Sequence, residues 1–256
     1  MSADPFDLTG KVAVVTGGSR GLGQEICQIY AQHGATVVVV SRKADACVDV
    51  AEQISAETGT KAVGLGCNVS DWSACTALVD EVHERLGTID VLVNNAGLSP
   101  LYPSLAEVTE QLFDKVIGVN LKGPFRLAAL VGTRMAETAG GSIINVSSVG
   151  SVSPSPDELP YAAAKAGLNL LGGAMSRAFG PRVRVNTIMP GAFLTDVSKA
   201  WDLEAFTKWA ARDIPAGRGG APSEIAGAAL YLASDAASYT AGATITVDGG
   251  LSSSRG

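Results

Sequence analysis

Histidine is almost missing from this chain, with His33 and His83 the only two in 256 residues. Both fall near the ends of expected helices, where an imidazole suits a C-terminal cap rather than a ligand. Cysteine is scarce too. Cys27, Cys47, Cys67 and Cys75 show no C-x-x-C spacing. Three of them fall in expected helices and Cys67 at a strand end, so buried reduced thiols are expected instead of a disulfide framework or a zinc site. No metal is expected. Basic residues are outnumbered, 19 Lys+Arg against 25 Asp+Glu, for a net charge of -6. That balance excludes the electrostatic footprint of a nucleic-acid binder and the basic face of a membrane-surface protein. No apolar run reaches the roughly 18 residues of a membrane span, and Met1 to Asp7 lack a basic region followed by an apolar one. A soluble, cytoplasmic protein is expected.

What the chain has in quantity is apolar residues, 46%, and glycine, 30 residues. Together they suit a well-buried core with many tight strand-to-helix turns, and the length suits one domain over 1–256. The organising stretch is Lys11 to Gly23, K-V-A-V-V-T-G-G-S-R-G-L-G. Val12 to Val15 form a short apolar strand that stops at glycine. From Leu22 the pattern turns helical, with Leu22, Ile26 and Ile29 to Tyr30 on one stripe. Glycines 17, 21 and 23 let backbone approach a ligand, and the helix start offers unpaired N–H groups to a pyrophosphate. Packing alone can also ask for such glycines. At the end of the first strand of an alternating chain, the turn reads as a dinucleotide site.

The alternation continues with a strand at Thr36 to Val40 and a helix from about Ala44 to Glu57. A strand at Lys61 to Leu65 follows, then a helix capped by Asp71 that runs to Arg85 and stops at Gly87. Asp90 to Val93 is the fourth strand. A long helical stretch is expected from Glu107 to Thr138, bent or broken at Pro124. Ser142 to Val146 is the fifth strand, followed by a Ser/Pro-rich loop and a helix whose start holds Asp157 and Pro160. Val183 to Ile188 is the sixth, with helical segments at Thr195 to Arg212 and Pro222 to Ala233 before a last strand at Thr244 to Val247. Apolar strands alternating with helices predict an α/β, Rossmann-type doubly wound, mainly parallel seven-stranded sheet with helices on both faces. Ligands then belong outside the carboxyl ends of the strands. Six of those ends carry small or polar residues, in T-G-G-S-R-G-L-G, V-S-R-K, C-N-V-S-D, N-N-A-G, V-S-S-V-G and M-P-G-A-F-L-T.

Cofactor choice is read at the end of the second strand. A free ribose 2′-hydroxyl calls for an acidic residue there, a 2′-phosphate for arginine. The chain has Ser41 and Arg42, with Arg20 inside the glycine loop. Two guanidiniums and a hydroxyl suit a phosphate, so NADP(H) is expected over NAD(H). Asn68 is placed either to meet an adenine edge or to make a plain turn. In Y-A-A-A-K, Tyr161 and Lys165 share one helix face. A phenol of pKa about 10 is neutral at pH 7. A nearby ammonium favours phenolate, and a change of about 2 to 3 in pKa corresponds to roughly 3 to 4 kcal/mol. A phenol so tuned can pass a proton to or from a substrate oxygen.

These motifs, in this order, resemble the short-chain dehydrogenase/reductase family over about Leu8 to Gly250. The resemblance implies Tyr161 as general acid/base, with Lys165 lowering its pKa and binding the nicotinamide ribose. It implies Ser148 on the substrate oxygen, preferred to Ser147 by its spacing of thirteen positions to the tyrosine, and Asn120 anchoring a water on a proton relay. Implied cofactor contacts are Gly17, Ser19, Arg20, Gly21, Leu22, Gly23, Ser41, Arg42, Asn68, Val69, Asn94, Ala96, Gly97, Tyr161, Lys165, Pro190, Gly191 and Thr195. Asn68 departs from the family, which more often has Asp there. The implied reaction is hydride transfer between NADP(H) and a small-molecule carbonyl or secondary alcohol, in a homotetramer.

Family substrate contacts come from the segments after Gly97, Ser148 and Gly191. The last would form a lid at about 192–214 carrying Trp201, Leu203, Phe206 and Trp209. A 3-oxoacyl-[acyl-carrier-protein] reductase would want a basic docking patch. E-T-A-G-G-S before the fifth strand has none, with Arg134, Arg182 and Arg184 in the wider neighbourhood. Sugar, steroid and secondary-alcohol substrates stay open, as does a non-catalytic NADP-binding sensor or scaffold.

Overall fold

The computed structural model describes residues 4–195, 198 and 202–253. Seven strands form one sheet: β1 (Val12–Thr16), β2 (Thr36–Ser41), β3 (Ala62–Gly66), β4 (Val91–Asn94), β5 (Gly141–Val146), β6 (Val183–Pro190) and β7 (Thr244–Val247). Their order is β3-β2-β1-β4-β5-β6-β7, with every pairing parallel. The order reverses between β1 and β4, the crevice where doubly wound sheets bind ligands. The helices are α1 (Gly21–Gln32), α2 (Ala44–Thr58), α3 (Trp72–Leu86), α4 (Glu110–Ile117), α5 (Gly123–Glu137), α6 (Leu159–Phe179), α7 (Leu203–Asp213) and α8 (Ala226–Ala233).

Successive side chains of a strand face opposite ways, and β1 and β2 serve two cores. Ala13, Val15, Val37 and Val39 pack with Ile26 and Tyr30 of α1, Ile54 of α2 and Leu230 of α8. Val12, Val14, Val38 and Val40 pack with Leu78 of α3 and Leu127 and Val131 of α5. Burial on both faces is why these strands read as unbroken valine runs. Each such side chain contributes roughly 1.5 to 3 kcal/mol on leaving water.

Asp71 caps α3, accepting from Ser73 N at 2.8 Å and Ala74 N at 2.9 Å, and Gly87 ends it with φ 80°. His33 Nδ1 pairs with Ile29 O at 2.9 Å and His83 Nδ1 with Val79 O at 2.8 Å, so both imidazoles serve helix ends. All four cysteines are free and buried.

The expected helix from Glu107 to Thr138 is instead α4, a π-helical turn at Gly118–Lys122, and α5. Pro124 has no N–H for the carbonyl one turn back, and the loop after β3 presses on this point. A Cβ on Gly123 would stand 2.2 Å from Val69 O, and one on Gly118 3.1 Å from Ser70 Cβ. Asp157 does not cap α6. A short 3₁₀ turn, Pro156–Glu158, precedes it, capped by Ser155. Of the helix expected over Thr195 to Arg212, the structure describes α7. Trp201 and residues 196–197 and 199–200 lie outside the described residues. Among the described residues, no helix is long and apolar enough to cross a membrane.

Candidate active site

The crevice is built where β1 and β4 end. Thr16, buried, donates from Oγ1 to Val93 O at 3.1 Å and accepts from Asn95 N at 3.0 Å and Ala96 N at 3.1 Å. Asn95 Nδ2 returns hydrogen bonds to Thr16 O at 2.9 Å and Gly17 O at 3.3 Å. Gly17 takes φ +67°, and a Cβ there would meet Asn95 Nδ2 at 2.8 Å. A Cβ on Gly23 would stand 2.2 Å from Gly17 O, so the start of α1 lies directly on the turn. Arg20, extended, precedes α1 without a side-chain cap, whereas Asp71, Thr109 and Asp202 cap α3, α4 and α7. The first-turn N–H groups of α1 are therefore left to a ligand, and a glycine-walled turn beneath them fits a pyrophosphate. Ser19 and Leu22 are half-buried in the turn, and Thr195 Cβ lies 3.6 Å from where a Cβ on Gly21 would stand. That contact brings the segment after Pro190 and Gly191 to the turn. Gly191 N donates to Val247 O at 2.9 Å.

Arg20 and Arg42 are exposed, and neither guanidinium has a partner among the described residues. Ser41 Oγ is already engaged, with Lys43 O at 3.3 Å and Cys47 Sγ at 2.9 Å. Asn68 makes the plain turn: its Oδ1 accepts from Ser70 N at 3.3 Å and Ser70 Oγ at 2.9 Å. Val69 is buried against the core. Asn94, read from the sequence as a cofactor contact, is an interior tie. Its Nδ2 donates to Asn145 Oδ1 at 3.0 Å and Pro124 O at 3.3 Å, joining β4, β5 and α5. The next residue, Asn95, is the one at the glycine turn. The N-N-A-G motif contained it, but only the alternation of side chains at a strand end separates the two.

Beyond β5 the chain turns at Ser147 and Ser148, whose hydroxyls part company. Ser147 Oγ donates to Lys165 O at 3.3 Å, tying the turn to the backbone of α6. Ser148 Oγ accepts from Gly150 N at 3.1 Å and is near enough to the Tyr161 phenol to lower its pKa. One turn along α6, Lys165 is 2% exposed, and its Nζ donates to Val146 O at 2.7 Å. The ammonium lies 5.7 Å from the Tyr161 ring centroid. It is also 3.7 Å from where a Cβ on Gly97 would stand, with Asn120 Oδ1 3.0 Å from the same point. Asn120, in the π-helical turn and fully buried, donates from Nδ2 to Leu98 O at 2.8 Å and Val116 O at 2.9 Å. Its amide thereby fixes the segment after Gly97 beside Lys165. Ser148, Tyr161, Lys165, Asn120 and Gly97 converge at the sheet's carboxyl edge.

The electrostatics differ from the sequence expectation. Burial pushes the Tyr161 phenol up, to about 12; the Ser148 hydroxyl opposes the rise and the Glu158 carboxylate adds to it. Burial also brings Lys165 down, to about 8. Desolvation outweighs the attraction of an ammonium that is itself desolvated and bound to Val146 O. The phenol is held protonated. Glu158 escaped the sequence reading, although S-x-x-E at Ser155 to Glu158 is a capping-box signature.

In α7, the Phe206 and Trp209 rings meet at 5.6 Å, tilted by 47°, and pack on Ala210, Ile214 and Leu251, with Val149 and Ala192 beside them. The aromatic pair thus rests on the segments after β5 and β6.

A short-chain dehydrogenase family model described as enoyl-(acyl carrier protein) reductase matches residues 17–252. D-threitol dehydrogenase of Mycolicibacterium smegmatis is 39% identical over 250 residues, 96% of this chain and 94% of that one. The 3-oxoacyl-[acyl-carrier-protein] reductase of Chlamydia muridarum is 38% identical over 245 residues, 95% and 98% of the two chains. A crystal structure of a gluconate 5-dehydrogenase from Burkholderia cenocepacia, in complex with NADP and tartrate, superposes with TM-score 0.92 at 35% identity, covering 98% of each chain. With the parallel sheet, the glycine turn and the Ser148, Tyr161, Lys165 cluster all in place, the chain belongs to the short-chain dehydrogenase/reductase family and is an oxidoreductase.

Proposed function

We propose that this protein moves a hydride reversibly between NADP(H) and a small carbonyl or secondary-alcohol substrate, with Tyr161 as general acid/base. The observation that carries the reading is buried Lys165, its Nζ held at 2.7 Å by Val146 O and 5.7 Å from the Tyr161 ring centroid, beside Ser148 and the glycine turn. When bound, the nicotinamide supplies the hydride acceptor or donor. The first turn of α1, with Gly17, Gly21 and Gly23, would hold the pyrophosphate, and Thr195 with Pro190 and Gly191 the nicotinamide half. Lys165 would hold the adjoining ribose, with Asn120 beside it.

In reduction, Ser148 and Tyr161 both donate to the substrate oxygen as negative charge develops there, and Tyr161 gives up its proton. A phenol held protonated suits that direction. For the 2′-phosphate, Arg20 and Arg42 are the available guanidiniums, and no acidic residue stands at the end of β2. The NADP of the gluconate 5-dehydrogenase structure is consistent with this choice.

A reductase of acyl carrier protein fits less well. Arg134 is paired with Asp80, Arg182 Nη1 donates to Thr138 O at 2.8 Å, and Arg184 donates to Leu232 O at 2.9 Å and Ser234 O at 3.1 Å. The arginines nearest that surface are already occupied. The test is NADPH and NADH oxidation, and the reverse reduction, with a panel of ketones, keto sugars, alditols and acyl thioesters. Faster turnover with NADPH on a small carbonyl or alcohol is expected. Acyl thioesters as the sole substrates would overturn the substrate reading, and no turnover with any member would favour a nucleotide-binding scaffold.

A further inference from the structure

The segment between β5 and α6 holds a charge that the reaction as described does not use. Glu158 is half-buried and accepts from Ser155 N through Oε1 at a long 3.4 Å, completing a capping box. The same Oε1 lies 2.6 Å from where a Cβ on Gly150 would stand, and Ser148 Oγ lies 3.4 Å from that point. Because residue 150 has no side chain, no Cβ fills the point that both carboxylate and hydroxyl approach. Tyr161 senses the charge, which adds to the upward displacement of its phenol. No Lys or Arg pairs with Glu158 among the described residues. A capping role alone would be served equally by glutamine.

We propose that Glu158 sets the substrate class: it accepts a hydrogen bond from a hydroxyl next to the reacting carbon, so the site takes neutral polyols and their keto forms and turns away substrates carrying a carboxylate there. The inference rests on the proposed function, in which Ser148 and Tyr161 hold the reacting oxygen. A carboxylate is an acceptor only, so the neighbouring substrate group must bring a proton. A second anion at that place meets a like charge and leaves both poorly solvated, which is discrimination by repulsion. A relative named for threitol, a neutral polyol with a hydroxyl next to each secondary carbinol, shows that the first chemistry occurs on this scaffold.

The test compares kcat and KM for D-threitol and D-threonate, which differ by a carboxylate next to C2, with NADP⁺ in the wild type, Glu158→Gln and Asp157→Asn. Glutamine keeps the capping box, so Tm is expected to hold, while the threitol-to-threonate ratio of kcat/KM falls roughly tenfold, mainly through a lower KM for threonate. Asp157→Asn, an exposed neighbour, is expected to leave the ratio unchanged. A wild type that prefers threonate, a ratio unmoved in Glu158→Gln, or an equal shift in Asp157→Asn overturns the assignment while the proposed function stands. Reduction of simple ketones with neither polyol nor aldonate oxidised does the same. Failure of every carbonyl and alcohol with both nucleotides overturns the two together.

Discussion

Lys165 Nζ donates a 2.7 Å hydrogen bond to Val146 O, the last carbonyl of β5, from a position 2% exposed. The sheet therefore fixes where the ammonium of α6 stands, and water contributes little to holding its charge. This placement puts a cation at the crevice at the expense of stability, because burial lowers its pKa from 10.5 to about 8.

Between pH 8 and 10.5 the unfolded chain binds more protons at residue 165 than the folded one, so stability from this group rises with pH. The burial cost, on the order of 3 kcal/mol, is full below pH 8 and relieved across that window. Lys165→Met removes the charge and also the hydrogen bond to Val146 O, a loss of about 1 to 3 kcal/mol. Thermal unfolding of the two proteins from pH 7 to 10 is expected to show the variant's Tm falling relative to the wild type as pH rises. A difference independent of pH would mean that Lys165 is not desolvated in solution.

Tyr161→Phe removes the phenol hydroxyl and leaves the ring in place. Proton transfer by a positioned side chain is worth roughly 10²- to 10⁴-fold. Carbonyl reduction is expected to fall by at least about 10², while NADPH titrated by fluorescence still binds. Wild-type turnover in this variant would remove Tyr161 from the chemistry.

The two adjacent serines should separate cleanly. Ser148→Ala takes away a donor to the substrate oxygen and is expected to lower kcat/KM by roughly 10²- to 10³-fold. Ser147→Ala loses only the hydrogen bond to Lys165 O, with about 1 kcal/mol of stability and most activity retained. Steady-state rates and Tm for both variants check this, and equal kinetic losses would put the wrong serine at the substrate.

How much of this was legible in the sequence depended on whether burial or direction was at issue. The strands were readable because two-faced burial turns β1 and β2 into near-continuous valine. Tyr161 and Lys165 were readable because helix geometry fixes i and i+4 on one face. Asn94 and Asn95 could not be told apart from composition. One amide points into the core at Asn145 and its neighbour out to Gly17. The π-helical turn at Asn120 follows from the loop pressing on Gly123, a contact between segments distant in sequence. The rise in the Tyr161 pKa was inaccessible for a related reason. The i,i+4 pattern shows the cation but hides the desolvation that outweighs it.

Arg42 tests the nucleotide preference. It is exposed at the start of α2 without a partner among the described residues, as Arg20 is at the start of α1, while the Ser41 hydroxyl is turned toward Cys47. Any grip on a 2′-phosphate therefore falls mainly to the guanidiniums, whose hydrogen bonds to a charged group contribute about 1.5 to 3 kcal/mol. Arg42→Asp replaces that attraction with repulsion and supplies the acceptor a free 2′-hydroxyl wants. Its NADPH-to-NADH ratio of kcat/KM is expected to fall roughly 10- to 100-fold, with NADH itself little affected or improved. Arg42→Lys, which keeps charge but loses the planar fork, should fall between. A preference untouched by both substitutions would move the phosphate grip to Arg20, and the double substitution with Arg20→Ala would then show the whole effect.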